Sequence, residues 1–378
     1  MFDVLVIGGG LAGLTSALRL AGLGFKVALV EKQAYPFHRV CGEYISNETL
    51  PFLRSLGCEP LDLGAVSIDE LCISTPTGKL LNLPLDLGGF GISRYALDLY
   101  LFELCQKAGV HCFSKTQVQN VEKGHDYYTI TTDSTSWQAR CVLGAFGKRA
   151  NLDNVLKRAF FTQRSPFLGV KYHLRLPTDL QASYPENRIT LHNFAYGYAG
   201  ISRVEGDVYC LCYLTTRQNL KKHQTIEAME EYVLAQNPHL KKLVGKHATT
   251  ESLWEKPKVI NEISFTPKPL IENGILMVGD SGGMIAPLCG NGMAMAMHGA
   301  KLLTDILPAY LRGEIQENTL HTQYTHTWKR QFSRRLWVGR QVQAMFGNNR
   351  MTEIFLRIAQ NVPPLRSWLV RNSHGKPF

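Results

Sequence analysis

The first 31 residues, MFDVLVIGGGLAGLTSALRLAGLGFKVALVE, leave few folds open to this chain. Phe2–Ile7 is an apolar run with the length of a buried parallel strand, and Gly8-x-Gly10-x-x-Gly13 follows it directly. A helical pattern of Leu14, Ala17, Leu18 and Ala21 then stops at Gly24, and a second apolar run, Lys26–Val30, ends on Glu31. Gly8 permits the tight strand-to-helix turn, Gly10 lets backbone approach a pyrophosphate, and Gly13 lets the helix lie close on the strand. The helix start, Leu11, Ala12 and Gly13, offers free N–H groups and the positive end of the helix dipole to phosphates. Glu31, followed by Lys32, stands where a carboxylate accepts the two hydroxyls of an adenosine ribose. A Gly-rich turn of another α/β protein would leave Glu31 without a purpose. The stretch predicts a bound ADP-ribosyl group.

A chain of 378 residues buries a large core and is expected to hold two domains, or one with a sizeable insertion. No run of eighteen apolar residues occurs, so no spanning helix is expected. The N-terminus lacks a basic leader and carries Asp3, which makes it the first strand of the fold rather than a signal peptide. Nine cysteines without a CxxC pair point to buried thiols in a reducing, cytoplasmic setting. Twelve histidines show no metal-ligand spacing, and no metal is expected. The net charge of +10 is concentrated at one end: from Trp328 to Phe378 ten Lys/Arg stand against one acid, Glu353. With no recognition module beside it, that charge is not read as a nucleic-acid site.

The strand Asn273–Asp280, NGILMVGD, places Asp280 at its C-terminal end, where an open parallel sheet binds ligands. Gly290-x-Gly292 then opens an Ala/Met-rich helix whose N-terminus, with Met293, can stabilise negative charge on a reduced isoalloxazine. Asp280 would hold a ribityl hydroxyl. One element for an ADP end and a second for a sugar-alcohol and ring end imply FAD rather than NAD. Gly279-Asp280-Ser281-Gly282-Gly283 also spells the nucleophile motif of trypsin-like proteases. Those enzymes need a double β-barrel and an upstream His and Asp, and this segment sits between an α/β strand and a Gly-rich helix start.

The expected organisation is α/β: a Rossmann-type FAD-binding domain with an inserted antiparallel β-sheet substrate domain and C-terminal helices. The cofactor domain is expected from 1–68, 86–154 and 270–325, and the substrate domain from 69–85 and 155–269. A basic helical segment is expected over 326–378. Glu70–Ser74 and Lys79–Leu85 predict a hairpin, Tyr127–Thr132 and Trp137–Gly144 another. Longer strands are predicted at Leu168–Leu176, Arg188–Phe194, Gly200–Val204, Val208–Leu214 and Val259–Phe265, with a helical interruption around 224–244.

These marks resemble the single-Rossmann FAD enzymes that include p-hydroxybenzoate-hydroxylase-like monooxygenases, flavin halogenases and geranylgeranyl reductases. The resemblance covers roughly residues 1–325. It implies that Arg94, in ISRYALD, lies near the FAD pyrophosphate and that the backbone at Val118 contacts adenine. Arg39-x-Cys41-Gly42-Glu43 resembles the reductase and halogenase branch, where this segment lies beside the flavin. Phe194–Gly200, FAYGYAG, sits where that branch carries an aromatic motif lining the substrate cavity. Ala145-Phe146-Gly147-Lys148-Arg149 replaces the hydroxylases' Asp-Gly pair, so direct NADPH use by that route is not expected; with no second dinucleotide fold, NAD(P)H binds transiently or another carrier supplies the electrons. The halogenase Trp-x-Trp-x-Ile-Pro signature is absent, which sets halogenation behind the other readings.

Three function classes follow. The first is a monooxygenase hydroxylating a hydrophobic or phenolic small molecule. The second is a geranylgeranyl-reductase-like enzyme reducing prenyl or lipid double bonds. The third is a membrane-associated flavin-binding protein without catalysis. Glu43, Tyr196 and Tyr198 are the candidate polar groups at the ring. For Glu43 a plain acid at a helix N-terminus is an equal reading, and for the tyrosines ordinary strand packing. Basic residues interleaved with Trp337, Phe346, Phe355, Leu356, Trp368 and Leu369 fit peripheral contact with an anionic membrane. A solvated helical face is the plainer alternative.

Overall fold

In the computed structural model Phe2–Ile7 forms strand β1, Leu11–Gly22 helix α1 and Val27–Val30 strand β2. The structure describes residues 1–163, 165–261, 263, 265–284, 291–346, 349–362 and 375–378. Residues of β1 enter two cores in alternation: Val4 and Val6 pack with α1, and Leu5 and Ile7 pack on the other face. A strand buried on both faces is apolar throughout, which is why no alternation shows in its sequence.

Strands β3 (Tyr44–Ser46), β4 (Val66–Ser74) and β5 (Leu80–Gly91) flank helix α2 (Leu50–Ser55) and lead to α3 (Arg94–Lys107). Ser93 caps α3 by accepting from Ala96 N. Then come β6 (His111–Phe113), β7 (Val118–Lys123), β8 (Tyr128–Thr132) and β9 (Ser136–Gly144). After the short α4 (Asn151–Val155) the chain builds β10 (Phe167–Arg175), α5 (Thr178–Gln181), β11 (Arg188–Phe194), β12 (Gly197–Val204) and β13 (Val208–Thr216). Helices α6 (Arg217–His223) and α7 (Ile226–Tyr232) precede the short strands β14 (Glu251–Ser252) and β15 (Lys258–Asn261). Strands β16 (Ile271–Glu272) and β17 (Ile275–Met277) are followed by α8 (Gly292–Leu311), α9 (Glu317–Phe346) and α10 (Asn349–Asn361).

The first sheet runs β16-β17-β9-β1-β2-β6, with β7 and β8 as an antiparallel arm on β9. Its central pairs are parallel, and β17 rejoins it beside β9 after the intervening strands have left for the second sheet. The second sheet runs β14-β10-β13-β12-β11-β4-β5-β3, with β15 also on β10. It is antiparallel apart from β4 and β11, which pair in parallel through Arg188↔Glu70 and the following rows. β4 and β11 are not joined by a hairpin, since β5 to β10 intervene in the chain, and a long connection of that kind leaves parallel pairing open. The helical interruption starts at Arg217, earlier than the pattern predicts, and β15 ends at Asn261 rather than Phe265.

One face of the second sheet packs on α7 and the turns after it through Val170, Leu174, Leu211 and Tyr213. The opposite face carries Leu214, Tyr198 and Ile189 and meets Met284 and Leu356 of α10. Helix α9 docks on the first sheet, with Phe332 and Trp328 in its core and Tyr324 Oη donating to Met277 O at 2.8 Å. Arg335, one of the ten basic residues of the C-terminal segment, is committed inward: it pairs with buried Glu48 at 3.0 Å.

Candidate functional site

The Gly-rich turn is built by close backbone approach. Gly8 has φ +106°, and a Cβ there would stand 2.4 Å from Ala145 O at the end of β9; a Cβ on Gly13 would stand 1.9 Å from Gly8 O. Gly10 is the N-cap of α1, and among the described residues no side chain caps that helix start, although Leu11, Ala12 and Gly13 are buried. Two guanidinium groups stand over it. Arg94 makes a bidentate pair with Asp98 (2.7 and 2.8 Å), and its Nη2 lies 3.7 Å from where a Gly10 Cβ would be. Arg39 reaches Asp98, Glu31 and Gly9 O, each at 3.1 Å.

Glu31 is buried at the end of β2 and accepts from Gly9 N (2.9 Å) and Gln33 N (3.0 Å). Lys32 is exposed beside it. Thr116 N donates to Glu31 O, which brings the segment before β7, and buried Val118 at its start, alongside the acid. An uncapped helix start under two arginines, with a carboxylate at the next strand end, has the donors a dinucleotide diphosphate and ribose require. The residues present fit FAD.

The second half of the site follows β17. Asp280 lies in the turn Gly279–Ser281, which two cations brace. Lys268 Nζ donates to Asp280 O at 2.8 Å, and burial pushes this lysine down to about 8. Fully buried Arg158 donates to Ser281 O and Pro269 O and pairs with Asp153. Gly290 and Cys289 lie outside the described residues. Gly292 is the first residue of α8, and Met293, buried behind it, has Sδ 3.4 Å from Cys41 Sγ. The Cys41 loop therefore meets the start of α8.

Glu43, at φ +56° and with no exposure, is the centre of a polar cluster. Its Oε1 accepts from Arg94 N at the first turn of α3 (2.7 Å) and from Lys171 Nζ, and its Oε2 bonds His173 Nε2 at 2.7 Å. Glu43 is thus both an acid at a helix N-terminus and the partner of two groups on β10. Burial would raise its pKa, but the Lys171 charge and the His173 bond outweigh burial and hold it at about 2. Burial likewise opposes protonation of Lys171, and the adjacent Glu43 carboxylate reverses that and keeps it charged. Lys171 Nζ also donates to Arg39 O at 3.2 Å, so the lysine ties the loop at two points.

Tyr198 and Tyr196 separate. Tyr198 is buried on the face that carries Lys171: it pairs with Leu214 and, across β13, with Gly169, two residues from Lys171. Tyr196 occupies the β11–β12 turn at φ +61° and is 60% exposed, so the structure does not bring it to Glu43. Lys171 and His173 were not anticipated. Their signal was the alternation of Lys171, His173 and Arg175 with Val170, Tyr172 and Leu174 in FLGVKYHLR.

Comparison with known proteins bears on the cofactor and the fold. Residues 3–38 match the FAD binding domain family FAD_binding_2, and residues 198–335 match the squalene epoxidase family. Over most of its length the chain is similar to FAD-dependent oxidoreductases, and it shares their fold. FAD is the cofactor of this flavoprotein. The flavoprotein is 24% identical to a tryptophan 2-halogenase of Chondromyces crocatus, over 88% of its own length and 66% of the halogenase. It is also 24% identical to a digeranylgeranylglycerophospholipid reductase of Methanocaldococcus jannaschii, over 87% and 82% of the two chains. Its fold matches the structure of pqsL from Pseudomonas aeruginosa, described as "a probable FAD-dependent monooxygenase", with a TM-score of 0.73, 16% identity and 93% and 98% coverage.

Proposed function

We propose that this flavoprotein is a monooxygenase that hydroxylates a hydrophobic or phenolic small molecule, held between the Cys41–Glu43 loop and the apolar inner face of the second sheet. The observation that carries this reading is the junction of two environments. The face of Tyr198, Leu214, Ile189 and Met284 is apolar, and Tyr44, in the same cluster, directly follows Glu43. An apolar enclosure with a few convergent polar groups is where a small hydrophobic substrate is bound and turned. Bound FAD supplies two-electron chemistry coupled to proton exchange. The chain's own part is to bind the nucleotide through Arg39, Arg94 and α1, to hold the Cys41–Glu43 loop through Lys171, and to keep water from the apolar face. Ala145–Arg149 supports a transient NAD(P)H donor rather than one held at a dedicated site.

A second reading, reduction of prenyl or lipid double bonds, is favoured by Cys41-Gly42-Glu43 and by the similarity to the digeranylgeranylglycerophospholipid reductase. Oxygen uptake separates them. With an accepted phenolic substrate and NAD(P)H, a hydroxylase consumes oxygen in step with product. A reductase turns over a prenyl substrate without oxygen, and a flavin-binding protein without catalysis does neither.

Membrane contact belongs to the same proposal. Among the described residues no helix is long and apolar enough to cross a membrane. On α10, Ile354, Ile358 and Val362 just beyond it recur at helical spacing and are exposed, as is Trp337 on α9. Exposed Arg330, Arg334, Arg340 and Arg357 accompany them. Apolar residues among basic ones suit the surface of an anionic bilayer, where each cation contributes about 1 kcal/mol. The protein is expected to co-sediment with phosphatidylserine vesicles at low salt, less at high salt, and much less as W337E/I358E. No sedimentation of the unaltered protein at low salt would remove membrane contact.

A further inference from the structure

Beyond Glu43 the polar cluster continues outward. His173, bonded to Glu43, stacks on Trp254 with centroids 4.7 Å apart, and His38 meets His173 edge-on at 5.0 Å. His38 is half-buried and lies between Trp254 (4.6 Å) and Tyr95 (4.6 Å), the latter 40% exposed. Donor atoms of His38, Glu43 and His173 all fall within 4.8 Å of one another. His38 Nδ1 is buried and, among the described residues, has no hydrogen-bond partner. A side chain kept only for stacking would not bring a polar nitrogen into this position, because burying it unpaired is costly.

We propose that His173 and His38 form a proton path joining Glu43, on the Cys41–Glu43 loop, to solvent at the Tyr95–Trp254 surface. The proposal rests on the flavin reading, since two-electron flavin chemistry exchanges a proton with its surroundings. In each step an imidazole takes one proton and gives up another, so both rings finish neutral and no electron moves. The donor atom of His38 lies within 4.8 Å of those of Glu43 and His173, a span that one water molecule can bridge. Burial, then the charge of Lys171, pushes His38 down to about 4, so its ring is neutral at neutral pH with one donor and one acceptor nitrogen.

The groups facing this path suit it. From β10 comes the ammonium of Lys171, from β15 that of Lys258, and from α3 Tyr95 and the backbone of Arg94. From β13 come Cys210 and Cys212, whose thiols burial pushes up, Cys212 to about 12, so they stay protonated. Beside them on the loop stands Cys41. The same three donors resemble a two-histidine, one-carboxylate metal set. Lys171 argues against that use: its ammonium already occupies Glu43 Oε1, and a divalent cation would have to sit beside it.

Exchange of the His173 ring N–H with solvent, read by NMR on the FAD-loaded protein with 15N-labelled histidine, tests the path. His38→Phe fills the stack without a titratable nitrogen and is expected to slow exchange by about tenfold or more, with FAD content retained and imidazole in the buffer restoring the rate. His38→Gln, which keeps a polar atom at the position, gives an intermediate rate and serves if the Phe variant does not fold. Unchanged exchange in both variants, or slowed exchange that imidazole does not restore, would overturn the proposal. So would stoichiometric Zn2+ binding lost on His38 substitution, which would make the triangle a metal site. A protein that takes up no FAD fails the flavin reading instead, and the His173 exchange rate still reports on the path.

Discussion

Lys171→Met is expected to destabilise the protein by about 3–5 kcal/mol, because it leaves the carboxylate of Glu43 buried with its charge uncompensated. Glu43 has no exposure, and removal of the lysine leaves it only Arg94 N and His173. The double variant E43Q/K171M removes both charges while an amide oxygen can still accept from Arg94 N. It should recover most of the loss, with a coupling of about 2–3 kcal/mol in a double-mutant cycle followed by urea unfolding. Additive losses would show that the two residues do not act as a pair. The pH dependence has a definite sign. Glu43 is depressed in the folded state, from the ordinary 4.5 to about 2. Its contribution is therefore complete above pH 4.5 and is lost as pH falls through about 2. Acid unfolding of the unaltered protein should show that loss, and E43Q/K171M should lack it.

Gly8→Ala and Gly24→Ala should differ sharply although both glycines have positive φ, +106° and +87°. A methyl on Gly24 meets no atom within 4 Å, so only the left-handed conformation counts against it, about 1 kcal/mol. A methyl on Gly8 would fall 2.4 Å from Ala145 O and 2.8 Å from Phe146 Cα, both backbone atoms at the end of β9. Strain of more than about 3 kcal/mol would then have to be relieved by moving β1 from β9, which displaces the start of α1. The expected result is a G8A protein purified with little or no FAD beside a G24A protein with a full complement, measured as flavin absorbance per chain. Equal FAD content would show that the turn does not hold the cofactor.

The parts of the fold carried by local pattern were legible. In β1–α1–β2 the strand run, glycine spacing and terminal acid are contiguous, so each constrains the next. The alternation in β8 was equally readable because only one face of that strand is buried, whereas β9 is buried on both faces from Cys141 to Gly144. Contacts between distant segments were not. Lys171 and Glu43 stand 128 positions apart, and no periodicity announces that β10 lays its lysine on the Cys41 loop. The parallel pairing of β4 with β11 depends on the order in which the chain fills the second sheet, which strand propensity does not encode. Charge counting also overreached at Arg335: the count places it on a basic surface, whereas buried Glu48 draws it inward. Tyr196 and Tyr198 belong to one motif, yet the turn between β11 and β12 carries Tyr196 to the surface and leaves Tyr198 on the inner face.

We infer that α1, Glu31, Arg39 and Arg94 hold a dinucleotide whose ring end reaches the Cys41–Glu43 loop and the start of α8. The most direct test is the absorption spectrum of the purified protein, followed by titration of the stripped protein with FAD. The expected result is the two bands of oxidised flavin, one FAD per chain, and a fluorescence of the bound flavin that changes in K171M, since the lysine holds the loop beside it. A colourless protein that takes up no added FAD would contradict the account at its foundation.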